Sequence, residues 1–228
     1  MLINRKYIKK TTNLSILIQL ITGIITLNGL NIKVGKKDII LIDILKLESL
    51  VQFIELVFYI WMSQTDININ TIASRRYIDW VITTPTMLLS TIMFMKYEEL
   101  NEKNSNKYIT SYNFVKEYKE DIKKILSYNL LMIIFGYLGE INKINKIYSI
   151  SIGFCFFILC FNLIYNKFAK YSNKGKKLYK FLFIVWGMYG IAAMFPNIEK
   201  NISYNILDII AKNFYGLYIY NEILNLRR

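Results

Sequence analysis

The sequence contains no histidine, only two cysteines, and few residues that interrupt helices. Zinc and haem sites lose their usual ligands without histidine, so neither is expected. Cys155 and Cys160 lie five residues apart in one apolar stretch, which does not pair them on a helix, and we interpret them as buried thiols. Ten glycines and two prolines in 228 residues permit long helices.

Long apolar runs are the main feature that is present. Hydrophobic residues make up 54% of the chain, and the mean hydropathy is +0.29. A helix needs roughly 20 residues to cross the hydrocarbon core, and only helix bundles or closed barrels can span it. The runs are continuous rather than alternating, which excludes a barrel. We therefore predict an all-α, multi-pass integral membrane protein, with one seven-helix domain over residues 1–228.

Seven spans are predicted from these runs and the charges that flank them. In chain order they are Thr11–Leu30, Ile39–Ser63, Ser74–Met95, Ile122–Ile141, Ile147–Phe168, Lys177–Phe195 and Ser203–Leu226. The basic residues before the first run are typical of a signal peptide. That run is long, however, and lacks a small-residue cleavage site, so we keep it as the first span.

The net charge of +13 is distributed unevenly along the chain. The basic residues flank apolar spans instead of forming a stripe on a soluble domain, so the lipid bilayer is an expected partner and nucleic acid is not. Lysine and arginine concentrate after the first, third and fifth spans and at the C-terminal Arg227 and Arg228. The positive-inside rule then places the N-terminus outside and the C-terminus in the cytoplasm. A homo-oligomer is left open.

Ionisable residues inside two spans indicate a functional site, because such residues are costly in a membrane. Asp208 and Lys212 lie one turn apart in the seventh span. They could form a structural ion pair, or the helix could lie in the interface. Alternatively, the lysine could form a Schiff base. In the third span Arg76, Asp79 and Thr83 share one face, and a protonated Schiff base on Lys212 would supply the cation that Asp79 needs.

Two stretches resemble the signatures of the microbial (type I) rhodopsins. Arg76 to Pro85 resembles their third helix, and Asp208 to Lys212 resembles their seventh. The fourth and sixth spans add residues at matching intervals: Asn129, Met132, Gly136, Gly139, Trp186 and Tyr189. The resemblance covers all seven helices. It implies a photoreceptor rather than an enzyme, with all-trans retinal bound as a Schiff base on Lys212.

The resemblance also implies roles for individual residues. Asp79 corresponds to the primary counter-ion and proton acceptor, Asp208 to the second counter-ion, and Arg76 to an outward gate. The residues assigned to the retinal site are Tyr59, Trp80, Thr84, Met87, Asn129, Met132, Gly136, Trp186, Tyr189 and Ala211. Gly190 and Ala193 replace a proline and a tryptophan of the family, which predicts a looser pocket.

Polar residues recur at helical spacing on four of the spans. The stripes contain Ser15, Gln19, Thr22 and Thr26; Glu48, Gln52, Glu55 and Tyr59; Arg76, Asp79, Thr83 and Ser90; and Asn201, Asn205, Asp208, Lys212 and Glu222, with Asn213 beside them. If these spans are neighbours, the stripes enclose a hydrophilic path with carboxylates, which select cations. The alternative is polar contacts that only hold helices together, an unsuitable role for Glu48 and Glu55.

The stripes resemble those of channelrhodopsins and the channel-like rhodopsins of large DNA viruses. In those proteins a second-helix glutamate, a first-helix serine and the asparagine after the retinal lysine form constrictions. Glu55 and Asn213 correspond to two of these positions, and Ser15 is the residue chosen on the first helix, whose register the sequence leaves open. The predicted ion pathway contains Ser15, Gln19, Glu48, Gln52, Glu55, Ser90, Asn205 and Asn213. We therefore predict a light-gated cation channel.

Two other functions remain open. An outward proton pump is the first alternative, and it would be slow because Ser90 replaces the carboxylic donor of the third helix. A sensory rhodopsin with a separate transducer is the second.

Overall fold

The structure is a computed structural model that describes residues 2–64, 71–103 and 107–226, with side chains from residue 6 onward. The regular structure in these ranges is entirely helical. Its α-helices are α1 (Leu2–Gly29), α2 (Ile39–Gln64), α3 (Ile72–Glu102), α4 (Ser111–Glu117), α5 (Lys119–Glu140), α6 (Lys146–Lys167), α7 (Asn173–Ala192), α8 (Asn197–Asp208) and α9 (Phe214–Asn225). A π-helical segment, Ile209–Asn213, joins α8 to α9. We call this continuous unit the seventh helix.

The long helices form a closed ring that fits a membrane bundle. Each packs against the next in the chain, and α1 packs against α8 and α9 to close the ring. The third helix, α3, also contacts α7 and α8 and so lies centrally. The predicted seven-helix membrane fold is therefore confirmed. As a consequence, the polar stripes of α1, α2, α3 and the seventh helix lie close together.

Membrane-spanning character is strongest in four of the helical stretches. Lys6–Gly29, Ile72–Glu102, Lys119–Glu140 and Lys146–Tyr171 are each long and apolar enough to cross a bilayer. The second and seventh helices carry the ionisable residues Glu48, Glu55, Asp208 and Lys212, all of which are buried. Large apolar side chains cover the outer surface of the bundle, among them Leu17, Phe53, Ile184 and Phe214. An apolar surface of this kind is what lipid requires.

The first helix begins at Leu2, well before the predicted Thr11. Tertiary packing explains the difference, because Ile8 is buried in a cluster with Phe58 and Tyr59 of α2. That contact holds the extra turns of α1 against the bundle despite their basic residues.

The third helix continues past the predicted Met95 to Glu102. Glu99 accepts ion pairs from Lys96 and Lys103, three and four residues away. Such spacings stabilise the exposed end of a helix.

Helix α7, which is the sixth predicted span, begins at Asn173, and the seventh helix begins with α8 at Asn197. Both start earlier than predicted. The Ser172 side chain caps α7 by accepting a hydrogen bond from the Gly175 amide at 3.0 Å. Pro196 precedes α8, where its missing N–H costs nothing. The helix α4 was not predicted, and its N-terminus is capped by the Thr110 side chain.

The two cysteines differ in their surroundings. Cys160 is buried, whereas Cys155 is exposed on the outside of the bundle. The interpretation of both as buried thiols is thus wrong for Cys155. Periodicity gives the relative directions of the two side chains but not which one faces the interior.

Candidate functional site

The centre of the bundle holds one ammonium group surrounded by three carboxylates. Nζ of Lys212 lies 2.5 Å from Oδ2 of Asp79, 3.5 Å from Oε1 of Glu55 and 3.7 Å from Oδ1 of Asp208. All four side chains are at most 2% exposed. Charges so far from water are tolerated only when they are paired. We call these four residues the Lys212 cluster.

The seventh helix changes its winding at this cluster. The amide of Phe214 donates to the carbonyl of Ile209, five residues earlier, which makes the Ile209–Asn213 segment π-helical. Segments of this kind occur often at functional sites. The altered winding sets the direction in which Lys212 and Asn213 leave the helix.

Asp208 and Asp79 differ in the donors that surround them. Asp208 accepts hydrogen bonds from the hydroxyls of Tyr59 at 2.7 Å and Tyr189 at 2.8 Å, and from Nη1 of Arg76 at 3.1 Å. Asp79 bonds to Lys212 through one oxygen, and its other oxygen has no hydrogen-bond partner among the described residues. Asp79 therefore keeps one oxygen that no described donor occupies, whereas Asp208 is surrounded by donors.

Arg76 closes the end of the bundle where the chain begins. It donates to Asn205 and to the Tyr59 hydroxyl, and its guanidinium lies over the Tyr59 and Tyr204 rings at 5.4 and 5.7 Å. Asn205 in turn donates to the Thr11 hydroxyl at 2.7 Å. These contacts join the first, second, third and seventh helices on this side of the Lys212 cluster.

A cavity of about 850 Å³, counting the part that opens to the surroundings, lies beside Lys212. Of the residues predicted for the retinal site, those that line it are Trp80, Thr84, Met87, Met132, Gly136, Trp186, Tyr189 and Ala211. The wall is almost entirely apolar, as the walls of cofactor pockets usually are. An apolar cavity with one amine in its wall fits a hydrophobic aldehyde such as retinal.

Two residues predicted for the retinal site do not line the cavity. The Tyr59 hydroxyl bonds to Asp208, and the Asn129 amide donates to the Thr84 hydroxyl at 2.9 Å. Asn129 thus contacts the wall through Thr84, whereas Tyr59 belongs to the hydrogen bonds around Asp208. Helical spacing predicts the face of each residue but not its depth.

Gly190 and Ala193, the two positions expected to loosen the pocket, also line it. Several residues of the wall were not predicted: Tyr77, Ile133, Ser149, Ile150, Gly153, Phe154, Phe157 and Tyr204. No residue of the fifth span was predicted for the cavity wall, because the span is mostly apolar and has no polar stripe that marks one face. Its small residues Ser149 and Gly153, one turn apart, are the signal that could have identified the inner face. A Cβ added to Gly190 would lie 2.5 Å from the Phe154 ring, so that ring takes up the space that the glycine leaves.

The polar path continues from the Lys212 cluster through three contacts between helices. The Thr22 hydroxyl donates to Oδ1 of Asn213 at 2.5 Å, and the Thr26 hydroxyl donates to Oε1 of Gln52 at 2.8 Å. Further along, the Ser90 hydroxyl donates to Glu48. Gln19 is buried beside this path, and neither of its amide atoms has a hydrogen-bond partner in the described part of the chain. All of these groups face the interior of the bundle.

The register predicted for the first helix is wrong. Ser15 was expected beside Glu55 and Asn213, but its hydroxyl donates to the main-chain carbonyl of Asn205 at 3.3 Å. Thr22, two turns further along α1, makes the contact with Asn213. Spacing alone could not distinguish the two, because both lie on the same face.

Comparison with known proteins gives a consistent assignment. A family model described as bacteriorhodopsin-like protein matches residues 10–226. The crystal structure of the viral rhodopsin OLPVRII is 27% identical, with a TM-score of 0.80 and coverage of 96% of this chain and 98% of that one. The blue light-absorbing proteorhodopsin from Med12 is 20% identical, with a TM-score of 0.74 and coverage of 97% and 98%.

More distant solved structures share the fold as well. Halorhodopsin from Halobacterium salinarum is 11% identical, with a TM-score of 0.74 and coverage of 98% and 96%. None of the curated proteins matches the chain significantly. The match over residues 10–226 and the seven-helix ring around a buried lysine agree with each other, and the chain therefore belongs to the bacteriorhodopsin-like family, whose members bind retinal as a Schiff base on a lysine.

Proposed function

We propose that this retinal protein is a light-gated cation channel, with retinal attached to Lys212. The conducting path would run between α1, α2, α3 and the seventh helix. The observation that carries the proposal is the pair of buried carboxylates on α2. Glu55 belongs to the Lys212 cluster, and Glu48 lies further along the same face, bonded to Ser90.

The light-sensitive part of the mechanism centres on Lys212. Bound retinal supplies the absorption of light and a change of shape at the Lys212 nitrogen. Asp79, at 2.5 Å from that nitrogen, is positioned to take up its proton. The Asp208 carboxylate is already engaged by Arg76 and two tyrosine hydroxyls, which leaves Asp79 as the acceptor beside Lys212.

Glu55 would couple the Lys212 cluster to the path. A proton that leaves Lys212 removes the positive charge 3.5 Å from the Glu55 carboxyl. A charge interacts strongly with a polar carboxyl at such a distance in a buried site, so its loss should let Glu55 and its neighbours rearrange. Water could then enter between the polar stripes.

Carboxylates at two depths suit the passage of cations. Rings of acidic side chains select cations in channels. In the described part of the chain, Glu48 has no basic residue within ion-pair distance, so its carboxyl is not used in a structural salt bridge. Cations would move down their gradient, with about 2.3 kcal/mol per charge for each 100 mV of membrane potential.

A proton pump is the second candidate, and one contact favours it. Ser90 occupies the position of the carboxylic donor in the family's pumps, and Glu48 is hydrogen-bonded to Ser90. The carboxyl of α2 could therefore supply the proton that serine cannot.

A voltage-clamp measurement of the photocurrent separates these functions. We expect a current whose sign reverses with membrane potential, because ions in a channel follow the electrochemical gradient. A current of one sign at all potentials would overturn the channel in favour of the pump. Normal pigment formation without any current would favour the sensory alternative.

Glu55→Gln tests the role of the path directly. Glutamine cannot exchange protons, so proton permeability relative to sodium should fall several-fold while the pigment still forms. The measurement is the reversal potential when sodium is exchanged for protons. Glu48→Gln should instead change the current size or its rectification. The control is Glu120→Gln, whose side chain is 75% exposed on α5. If both α2 variants match the control, the polar stripes are helix packing and the channel proposal is wrong.

A further inference from the structure

Three residues form a layer across the polar path between its two carboxylates. Thr26 comes from α1, Gln52 from α2 and Gly216 from α9, and all three are buried. We call this set the carboxamide layer, because the Gln52 carboxamide fills the space between the three helices.

The Gln52 carboxamide is fixed at one end only. Its Oε1 accepts the hydrogen bond from the Thr26 hydroxyl at 2.8 Å. Its Nε2 has no hydrogen-bond partner among the described residues, although the side chain is only 2% exposed. A buried amide that lacks a partner is costly to keep. The same arrangement leaves Nε2 available to donate a hydrogen bond to water, including the water that hydrates a cation.

Gly216 provides the space that the carboxamide occupies. A Cβ at this position would overlap Nε2 of Gln52 and would also lie 3.3 Å from Cδ of Gln52 and 3.5 Å from Cγ2 of Thr26. Any side chain at position 216 would therefore displace the amide. The glycine is explained by this close contact, since its φ is not positive.

The carboxamide layer is one of three successive levels of the path. Gln52 lies three residues before Glu55 and four after Glu48, so the three side chains share one face of α2. The level of Glu55 contains the Thr22–Asn213 contact, and Thr26 and Gly216 lie one turn further along from these residues. The uncharged amide thus separates the two buried carboxylates, and an ion that moves from one to the other must pass it.

We propose that the carboxamide layer sets the size of the largest cation that the path conducts. Gln52 closes the path in the dark, and conduction requires its carboxamide to leave the space above Gly216. The amide is neutral, so it restricts passage by size and not by charge. This inference rests on the proposed channel function and adds to it the residues that determine specificity.

The test is the permeability of methylammonium relative to sodium, measured from reversal potentials with each cation outside. Gln52→Ala removes the carboxamide, and Gly216→Ala displaces it. We expect both variants to raise the ratio severalfold, because clearing the space helps the larger cation more than it helps sodium. Gly23→Ala is the matched control, because a Cβ there meets no atom within 4 Å. Pigment absorption in each variant shows that the protein has folded, since none of these residues lines the cavity.

The outcomes separate the two proposals. If the wild-type current reverses and neither variant changes the ratio, the carboxamide layer has no role in selectivity and the channel proposal stands. If Gly23→Ala raises the ratio as much as Gly216→Ala does, the specific contact with Gln52 is refuted. A wild-type current of one sign overturns the channel and the layer together. If Gly216→Ala forms no pigment, Gln52→Ala decides the question by itself.

Discussion

At the residue scale, two lysines are buried in the described part of the chain, and their neighbours give them different roles. Lys200 pairs with Glu140 at 2.6 Å, near the start of α8. Lys212 lies among three carboxylates and forms part of the cavity wall. Burial does not distinguish the two lysines, because both side chains are buried. They differ because Lys212 lines the cavity and Lys200 does not.

Lys212→Ala should abolish the pigment. The side chain is the one lysine that lines the described cavity, so its loss removes the amine to which retinal would be joined. We expect folded protein with no visible absorption band when retinal is added, measured by absorption spectroscopy after purification. Lys200→Ala is the control, because it removes a buried lysine away from the cavity and should keep the band. A visible band in Lys212→Ala that resists bleaching would refute the assignment.

At the scale of secondary-structure elements, Asp208 connects the helices around the site. Its carboxylate accepts bonds from Tyr59 on α2, Arg76 on α3 and Tyr189 on α7. The Asp208 side chain therefore connects the seventh helix to α2, α3 and α7. Asp79, by comparison, connects α3 with the seventh helix through Lys212.

Asp208→Ala should destabilise the protein more than Asp79→Ala. The first change leaves the buried Arg76 guanidinium without its carboxylate, and breaking a buried ion pair costs about 3–5 kcal/mol. After Asp79→Ala, Lys212 still has Asp208 and Glu55 within 4 Å. Both variants should be unfolded reversibly in detergent without retinal, so that pigment formation does not affect the comparison. Equal losses of unfolding free energy would show that the Arg76 pair contributes little.

Orientation in the membrane belongs to the scale of the whole molecule. The basic loops after the first, third and fifth spans predict a cytoplasmic C-terminus. Arg227 and Arg228, which were counted on that side, lie outside the described residues. The orientation matters for the proposed function, because it decides whether Glu48 or Glu55 lies nearer to the cytoplasm.

A tag at each end would measure the orientation. We expect an N-terminal tag to bind antibody on intact cells and a C-terminal tag to bind only after permeabilisation, because lysine and arginine are retained on the cytoplasmic side. A tagged cytoplasmic protein serves as the control for intact membranes. The reverse pattern would invert the inner and outer ends of the proposed path.

By itself, the sequence determined the number and order of the spans and the central residues of the site. Apolar length is a local property, and an ionisable residue in a span must find a partner, so Lys212, Asp79 and Asp208 could be grouped before any fold was known. The structure places the three together. Helix ends were less accurate, as α1 shows, because packing of Ile8 extends the helix beyond its apolar run.

Only the tertiary structure decided how the helices are rotated and shifted against one another. It placed Thr22 instead of Ser15 at Asn213, brought Glu55 into the Lys212 cluster, and set the Gln52 carboxamide over Gly216. Each of these contacts joins residues that are far apart in the chain, and the period of a helix specifies a face but not a depth. The depth comes from the packing of side chains between helices, in which a shift of one turn exchanges residues that look equivalent in the sequence.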